Sequence, residues 1–262
     1  MESIIRKTLI YKSNVEYADY CLNHVEGCAH GCTYPCYAMM LKKRCGIVKS
    51  YEEWTKPKIV GNCLELIEKE IPKFKNKIHK LFLCFSTDPF MYKVNEVESL
   101  TINILRILYK NSISSVLISK GLYPESLIYD PLISKENEYG ISVVSLSDDF
   151  RKKYEPNASP IDYRIKALKR LHDAGLKTWV SMEPYPTPNI IAQDINELLS
   201  EISFIDRIVF GKWNYNSKST RYSDHKNFYS TKIKEVIRFG YDNEIEVYIK
   251  NDTLNLSDSN YN

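Results

Sequence analysis

The chain alternates between short apolar runs and amphipathic segments along most of its 262 residues, and this alternation restricts the folds it can adopt. The apolar runs are rich in β-branched and aromatic residues on both faces, which is typical of buried parallel strands. The runs predict strands at 18–25, 80–86, 114–120, 140–147, 176–184, 207–213 and 244–250. The intervening segments carry apolar residues at helical spacing. They predict helices at 62–74, 96–110, 159–175, 192–202 and 230–240.

Strands that alternate with helices in this way favour βα units, which form a parallel sheet through right-handed crossovers. Six or seven such units indicate an α/β protein with a partial TIM-type (β/α)6 barrel of parallel strands, in which 244–250 is the candidate seventh strand. We expect a single domain over 1–254 and a polar tail, 255–262, that frays. Folds of this type carry their chemistry at the carboxyl ends of the strands.

Composition excludes several classes of protein. The net charge of +3 is modest, whereas dedicated nucleic-acid domains are usually far more basic. No apolar run approaches the roughly 20 residues of a membrane helix, so we expect no membrane association. The N-terminus also lacks the pattern of a secretory signal peptide. We therefore expect a cytoplasmic protein whose seven cysteines are reduced.

The segment "EGCAHGCTYPCYAMM", residues 26–40, places Cys28, Cys32 and Cys36 on one short loop. Gly27 and Gly31 allow its backbone to wrap closely around a bound group. Because the loop follows the first predicted strand, we expect it at the carboxyl-terminal rim of the barrel. Three thiolates are one fewer than a [4Fe–4S] cluster normally takes, which would leave one iron open for another ligand.

Zinc is the alternative occupant of this loop. Its fourth ligand would be His30, Cys21 or Cys45. Zinc-binding cysteines usually come as two closely spaced pairs, and no second pair follows here. The spacing therefore favours the cluster as the metal group.

The cysteine loop resembles the signature of the radical S-adenosylmethionine enzymes, and in particular that of their spore photoproduct lyase-like branch. The resemblance implies a [4Fe–4S] cluster whose open iron binds S-adenosylmethionine. It further implies reductive cleavage to a 5′-deoxyadenosyl radical, which abstracts hydrogen from the substrate. The family's usual spacing is Cys-x3-Cys-x2-Cys, with an aromatic residue before the last cysteine. Here Tyr34 supplies the aromatic residue, and Pro35 lengthens the second gap.

The resemblance extends over about 20–215 and implies contacts to S-adenosylmethionine from the strand ends. Two interpretations stay open at several positions: Lys120 could simply be solvated, and Arg164 could form a structural salt bridge with Glu155. Ser145 and Ser147 share one face of their predicted strand, where hydroxyls suit a ribose or a carboxylate. The expected cofactor contacts are Tyr34, Ser86, Asp88, Lys120, Ser145, Ser147, Arg164 and Gly211.

Cys84 is the candidate catalytic residue. It stands two residues before Ser86, a spacing that resembles the hydrogen-atom donor of spore photoproduct lyase-like enzymes. Period two would place both side chains on the inner face of the strand predicted at 80–86. The alternative is an inert buried cysteine, which is common in strands.

Glu183 is expected at the mouth of the barrel, where it would orient a substrate or face water. Lys212, Trp213 and Asn214 are expected to line the same mouth, with plain packing as the alternative for Trp213. Lys250 belongs to the candidate seventh strand and has no assigned function. The resemblance implies a reductant such as flavodoxin or ferredoxin as partner. An open mouth suits a bulky substrate such as nucleic acid or a peptide. The basic stretches 41–45 and 72–80 are more typical of solvated faces than of phosphate sites. Two other functions remain open: a DNA-lesion lyase, and a zinc-stabilised binding module without catalysis.

Overall fold

The computed structural model describes residues 1–13 and 18–256, so most of the predicted polar tail, 257–262, lies outside the described residues. The strands are β1 Ser3–Ile4, β2 Ile10–Lys12, β3 Tyr20–Leu22, β4 Val25–Glu26, β5 Lys58–Val60, β6 Leu81–Leu83, β7 Ser115–Ser119, β8 Glu138–Ser142, β9 Lys177–Tyr185, β10 Arg207–Lys212 and β11 Glu246–Ile249. The helices are α1 Tyr37–Arg44, α2 Tyr51–Trp54, α3 Cys63–Phe74, α4 Asn95–Lys110, α5 Ser126–Tyr129, α6 Asp148–Tyr154, α7 Ile161–Asp173, α8 Ile195–Glu201, α9 Ser217–Thr220, α10 His225–Asp242 and α11 Asn251–Leu254.

The main sheet has the strand order β11-β10-β9-β8-β7-β6-β3-β2. Neighbouring strands from β3 to β11 are parallel, and β2 pairs with β3 in the antiparallel direction. The predicted α/β class with a parallel sheet is confirmed. The count of six strands is not, because seven parallel strands follow one another and β11 is the seventh. Within the described residues the sheet has two edges, β2 and β11, and does not close into a barrel.

Two predicted strands end earlier than expected. Strand β6 ends at Leu83, because Cys84 has a φ of 57° and interrupts the extended backbone. Strand β8 ends at Ser142, and the chain then turns into α6, whose first turn is capped by the Ser147 hydroxyl accepting from the Phe150 N–H. The predictions of strand through 86 and through 147 are therefore wrong.

The two faces of the main sheet bury different cores. Helices α3, α4 and α7 pack on the outer face through residues such as Ile67, Leu105 and Leu168. The inner face carries a smaller cluster made by Cys21, Phe82, Val116, Trp179 and Val209. Since successive side chains alternate between faces, residues two positions further along the strands that continue, such as Ile118 and Ser181, also point inward, toward the carboxyl ends.

A small second sheet, in the order β1-β5-β4, supports the cysteine loop. Strand β1 is parallel to β5, and β4 is antiparallel to it. The loop begins directly after β4, so its first residues start from hydrogen-bonded backbone. This sheet was not predicted, because two of its strands have only two residues. Over 1–13 and 18–256, no helix combines the length and the apolar character needed to cross a bilayer.

Candidate functional site

A cavity of about 570 Å³ opens at the carboxyl ends of the parallel strands, where the sequence predicts the site. Two walls face each other across it. The cysteine-loop wall consists of residues 27–36 and the network behind them, Asp88, Lys120, Glu155 and Arg164. The strand-end wall consists of Glu183, Lys212, Asn214, Lys250 and Asp252, which come from β9, from β10 and the residues that follow it, and from β11 and α11. All three cysteines of the loop line the cavity, are half-buried and form no disulfide.

Two glycines with positive φ determine the path of the cysteine-loop backbone. Gly27 has a φ of 84°, and a Cβ atom there would lie 2.7 Å from the Trp54 carbonyl oxygen. The same carbonyl accepts a 2.9 Å hydrogen bond from the Cys28 N–H. Gly31 has a φ of 60°, and its carbonyl accepts a hydrogen bond from the Tyr51 hydroxyl. A side chain at Gly27 would push the loop off α2, so this close approach requires glycine.

His30 is not available as a metal ligand. Its Nε2 atom accepts the Tyr92 N–H at 3.0 Å, so its Nδ1 atom carries the proton and faces Asp88 Oδ2 at 3.3 Å. Burial lowers the pKa of His30, which agrees with a neutral ring. Cys21 lies in the inner core, and Cys45 is exposed at the end of α1. Each fourth ligand considered for zinc is therefore engaged or located elsewhere.

The donor set fits a cluster better than a single ion. Across the described ranges, no three His, Cys, Asp or Glu side chains converge on one metal-ion position. Zinc would need its sulfur ligands about 2.3 Å from one ion, whereas a cubane cluster binds each thiolate through a different iron. Burial raises the pKa of Cys28 well above its usual range and that of Cys32 to about 12. Binding of the group must therefore displace the thiol protons.

Arg164 lies behind the cavity rather than in it. It is completely buried, and both terminal nitrogens donate to Glu155 Oε2 at 3.2 Å. Its other N–H groups donate to the Ser142 carbonyl and to the carbonyl and hydroxyl of Ser159. All five N–H groups of the guanidinium are thereby used. The expected direct contact between Arg164 and the cofactor is corrected, because no donor remains to grip a carboxylate.

Glu155 joins Arg164 to the cavity. Its Oε1 atom accepts the Tyr34 hydroxyl at 2.9 Å and lies 3.6 Å from Lys120 Nζ. Burial alone would raise the pKa of Glu155, but the positive charges of Lys120 and Arg164 outweigh it and lower that pKa. Burial would likewise lower the pKa of Lys120, but the negative charge of Glu155 outweighs it and raises that pKa. The carboxylate and the ammonium therefore both stay charged, and Lys120 lines the cavity.

Tyr34 is held by its hydroxyl and by its ring. The ring packs against Trp213, with centroids 5.6 Å apart in a T-shaped arrangement, and Lys120 Nζ lies 5.6 Å from the ring centre. Burial and the negative charge of Glu155 raise the pKa of Tyr34, which keeps it a hydrogen-bond donor. Pro35, which separates Tyr34 from Cys36, also lines the cavity.

Asp88 is satisfied by the protein itself. Its Oδ1 atom accepts the Phe90 N–H and the Ser119 hydroxyl, and its Oδ2 atom accepts the Lys120 N–H and faces His30. Its side chain reaches the edge of the cavity but is nearly completely buried. Asp88 therefore links the segment after β6 to the end of β7 and to the cysteine loop.

The serines that line the cavity are only partly those predicted. Ser86 lines the cavity, whereas Ser145 and Ser147 do not: the Ser145 hydroxyl accepts the Ser147 N–H, and Ser147 caps α6. Ser142 and Ser181 occupy the cavity instead, as register partners on β8 and β9. Each lies two residues after a residue on the inner face of its strand. The alternation of side chains along a strand would therefore have predicted both serines if the end of β8 had been placed correctly.

Cys84 does not face the cavity. With its positive φ, it turns its side chain into a buried cluster with Val25, Met91 and Val97, which also packs against Cys28. Its Sγ atom lies 3.4 Å from Nδ1 of the buried His24. Burial raises the pKa of Cys84 to about 12, so it remains a thiol. The expectation that Cys84 shares an inward face with Ser86 is wrong, and so is the hydrogen-donor geometry that depended on it.

The strand-end wall contains paired charges that keep some contact with water. Lys250 Nζ lies 3.7 Å from Glu183 Oε2, and Lys212 Nζ lies 3.7 Å from Asp252 Oδ2. The Glu183 side chain lies over Gly211, where a Cβ atom would come within 2.8 Å of it. Gly211 therefore makes room for Glu183, and it is not among the residues that line the cavity.

Comparison with known proteins identifies the class to which this fold and this loop belong. Residues 22–202, more than half of the chain, match the family model of the Radical SAM superfamily. The chain belongs to that superfamily and is a radical S-adenosylmethionine enzyme.

The chain is also similar to two proteins from other sources and to solved structures of the same fold. A protein of Methanocaldococcus jannaschii is 26% identical over 196 residues, which cover 74% of this chain and 70% of the relative. A protein of Acidianus two-tailed virus is 25% identical over 221 residues, which cover 76% of this chain and 70% of the viral protein. Spore photoproduct lyase complexed with dinucleoside spore photoproduct superposes with a TM-score of 0.68 at 15% identity, over 94% of this chain and 80% of that one. SuiB of Streptococcus suis bound to S-adenosylmethionine superposes with a TM-score of 0.51 at 15% identity, over 70% of this chain and 40% of SuiB. At such identities the two structures show a shared fold.

Proposed function

We propose that Cys28, Cys32 and Cys36 hold a [4Fe–4S] cluster and that the adjoining cavity binds S-adenosylmethionine together with a substrate. The single observation that carries the proposal is the set of three free, half-buried thiols on one glycine-bearing loop, with no fourth ligand beside them. Within the described ranges, His30, Cys21 and Cys45 are all engaged or placed elsewhere. Three ligands leave one iron open for the cofactor.

When bound, the cluster supplies one electron that cleaves S-adenosylmethionine to methionine and a 5′-deoxyadenosyl radical, which abstracts hydrogen from the substrate. The chain's own residues position the two molecules. Lys120 offers its ammonium group to the methionine carboxylate. The ammonium has three N–H donors, and Glu155 Oε1, which lies 3.6 Å away, does not use all of them. Ser86, Ser142 and Ser181 offer hydroxyls along the same side of the cavity. Tyr34 and Arg164 act through Glu155, which they hold in place.

The fold suits this assignment. We infer a partial barrel that forms a single domain over 1–254, because the strands of the main sheet extend from Ile10 to Ile249. The open sheet leaves the mouth accessible to a bulky substrate such as a nucleic acid or a peptide. A reductant such as flavodoxin or ferredoxin would supply the electron.

A DNA-lesion lyase is the second candidate. It is favoured by the fold shared with spore photoproduct lyase and by two exposed rings at the cavity mouth, Tyr37 and Tyr215, which stack with centroids 6.4 Å apart. Stacked tyrosines at a mouth suit unpaired bases. The buried position of Cys84 indicates that such a lyase would not draw its hydrogen atom from that thiol.

Anaerobic reconstitution with iron and sulfide tests the metal site. We expect about four iron and four sulfide per chain, and loss of most of both in Cys32→Ala. Cys45→Ala is the matched control, because Cys45 is also a free thiol but lies exposed at the end of α1. Dithionite and S-adenosylmethionine should then release 5′-deoxyadenosine from the wild type and from Cys45→Ala. A colourless protein with about one zinc per chain would instead establish the zinc-stabilised module.

Binding to single-stranded DNA tests the second candidate. Real phosphate contacts weaken steadily as salt concentration rises. Binding that does not change between low and physiological salt, or the absence of binding, would argue against a nucleic-acid substrate.

A further inference from the structure

Three consecutive carbonyls of the cysteine loop are held by residues outside the cavity. The Ala29 carbonyl accepts the side-chain N–H of Asn157 at 3.1 Å, and the His30 carbonyl accepts the backbone N–H of Asn157 at 3.1 Å. The Gly31 carbonyl accepts the Tyr51 hydroxyl. Neither Asn157 nor Tyr51 lines the cavity, so all three carbonyls are drawn away from it.

The same three peptide groups direct their N–H bonds to the opposite side. In a trans peptide the C=O bond and the following N–H bond lie in one plane and point in opposite directions. The N–H groups concerned belong to His30, Gly31 and Cys32. Gly31 has a φ of 60°, and successive N–H groups beside such a left-handed residue form a nest, a concavity that binds anionic groups.

The cysteine sulfurs lie on the side to which these N–H groups point. Burial raises the pKa of Cys28, and a hydrogen bond from the His30 N–H to its sulfur acts against that rise. All three cysteines of the loop line the cavity. In the part of the chain that the structure describes, the Gly31 and Cys32 N–H groups have no oxygen acceptor, so they can serve sulfur.

N–H groups that point at the sulfurs of a cluster favour its more negative state. Hydrogen bonds to the sulfurs are one of the features by which proteins set the reduction potential of an iron–sulfur cluster. The reduced cluster carries one more negative charge than the oxidised cluster, so it interacts more strongly with the positive ends of these dipoles. A residue that orients the N–H groups therefore raises the reduction potential without contacting the metal.

We propose that Asn157 and Tyr51 are positioning residues for the metal centre, which orient the N–H groups of residues 30–32 toward the sulfurs and thereby raise the reduction potential of the cluster. This inference rests on the proposed function, which places a [4Fe–4S] cluster on the cysteine loop. Both side chains are exposed, so either hydrogen bond can be removed with a modest effect on folding.

Redox titration of the reconstituted protein, followed by electron paramagnetic resonance, tests the proposal. In Asn157→Ala/Tyr51→Phe, the ratio of reduced to oxidised cluster at a fixed solution potential should fall about tenfold. For a one-electron couple this is a midpoint potential lowered by about 59 mV. Asn157→Ala and Tyr51→Phe alone should each give a fall of about threefold. Tyr51→Phe removes a single oxygen atom, so it carries the test even where the double variant does not fold.

The matched controls make the same substitutions away from the loop. Tyr109→Phe changes a tyrosine of α4 that is 43% exposed, against 41% for Tyr51. Asn243→Ala, at the end of α10, removes a side-chain N–H that donates to the Phe239 carbonyl at 2.9 Å. Both controls should keep the midpoint potential of the wild type.

Iron and sulfide content separates the two proposals. If the wild type binds no iron and sulfide on reconstitution, the proposed function fails. If it binds them, the positioning of the N–H groups is overturned by an unchanged midpoint potential in Tyr51→Phe and Asn157→Ala, by a shift to a more positive potential, or by an equal shift in a control. The titration reports only the molecules that hold a cluster, so partial loss of iron in a variant does not alter the midpoint measured.

Discussion

The two walls of the cavity both carry charges but hold them in different ways. On the cysteine-loop wall, Arg164 is fully buried with every N–H group hydrogen-bonded, and Asp88 accepts from the protein at both oxygens. On the strand-end wall, Lys212 Nζ donates to the Asp252 carbonyl and Asn214 to Asp252 Oδ2, each at 2.7 Å, but the charged side chains keep 17–49% of their surface exposed. We call the first wall fixed because its charges are mainly buried, and the second adjustable because its charges keep contact with water.

The difference follows from burial. Charges that lose water must be fully compensated, so the cysteine-loop wall has a single arrangement. Charges that keep some water can exchange partners at little cost. The match to the Radical SAM superfamily ends at residue 202, and Lys212, Asn214, Lys250 and Asp252 all follow it. The fixed wall therefore lies within the range matched by the family model, and most of the adjustable wall lies beyond it.

The largest expected effect is on the fixed wall. Arg164→Met should lower the free energy of unfolding by about 3–5 kcal/mol, because it leaves Glu155 buried without its main partner. Urea unfolding followed by circular dichroism measures this. Lys152→Met is the control: Lys152 also pairs with a carboxylate, Asp148 at 2.8 Å, but on the surface, and its loss should leave stability nearly unchanged. Equal stability of the two variants would contradict the distinction between the walls.

The second effect concerns the backbone of the cysteine loop. Gly27→Ala should lower the free energy of unfolding by at least about 3 kcal/mol, because it combines a left-handed backbone with a clash between its Cβ atom and the Trp54 carbonyl. The control is Gly46→Ala, outside the loop, where a left-handed backbone has no neighbour to clash with. It should lower the free energy of unfolding by only about 1–2 kcal/mol. Iron bound after reconstitution should fall in Gly27→Ala alone. Normal iron loading in that variant would show that the loop tolerates displacement.

A smaller effect is expected for Tyr34→Phe. The change removes one hydrogen bond to the buried Glu155 and should lower the free energy of unfolding by about 1–3 kcal/mol, while the cysteines still bind iron. Thermal or urea unfolding of the apo protein provides the measurement. If Tyr34 instead acts only through its ring on the cofactor, stability should remain that of the wild type.

The smallest effect on stability is expected on the strand-end wall. Lys212→Met should change the free energy of unfolding by about 1 kcal/mol or less, because its ion pair and its hydrogen bond to Asp252 are both partly exposed to water. Its effect should appear instead in binding to the cavity, measured by calorimetry with S-adenosylmethionine and with candidate substrates. A loss of stability as large as that of Arg164→Met would show that this wall is also fixed.

Much of the fold could be predicted because β-branched runs and helical spacing are local signals. The start of α7 and the seventh strand at 244–250 are examples: the structure has them at Ile161–Asp173 and Glu246–Ile249. The site depends on strand ends, which local patterns do not fix. The positive φ at Cys84 and the early turn after Ser142 changed which face each later residue occupies. The use of all five donors of Arg164 depends on carbonyls from Ser142 and Ser159, and no spacing rule indicates those.

The antiparallel strand β2 has a consequence for how such a sheet can grow. Three residue pairs join β2 to β3 in the direction opposite to all other pairs, so a new parallel unit cannot be added at that edge without displacing β2. The other edge, β11, is parallel to its neighbour β10 and pairs with no further strand in the described part of the chain. Insertions that enlarge the molecule in evolution would therefore accumulate beside β11, next to the strand-end wall, and would reshape that wall before they disturbed the cysteine loop.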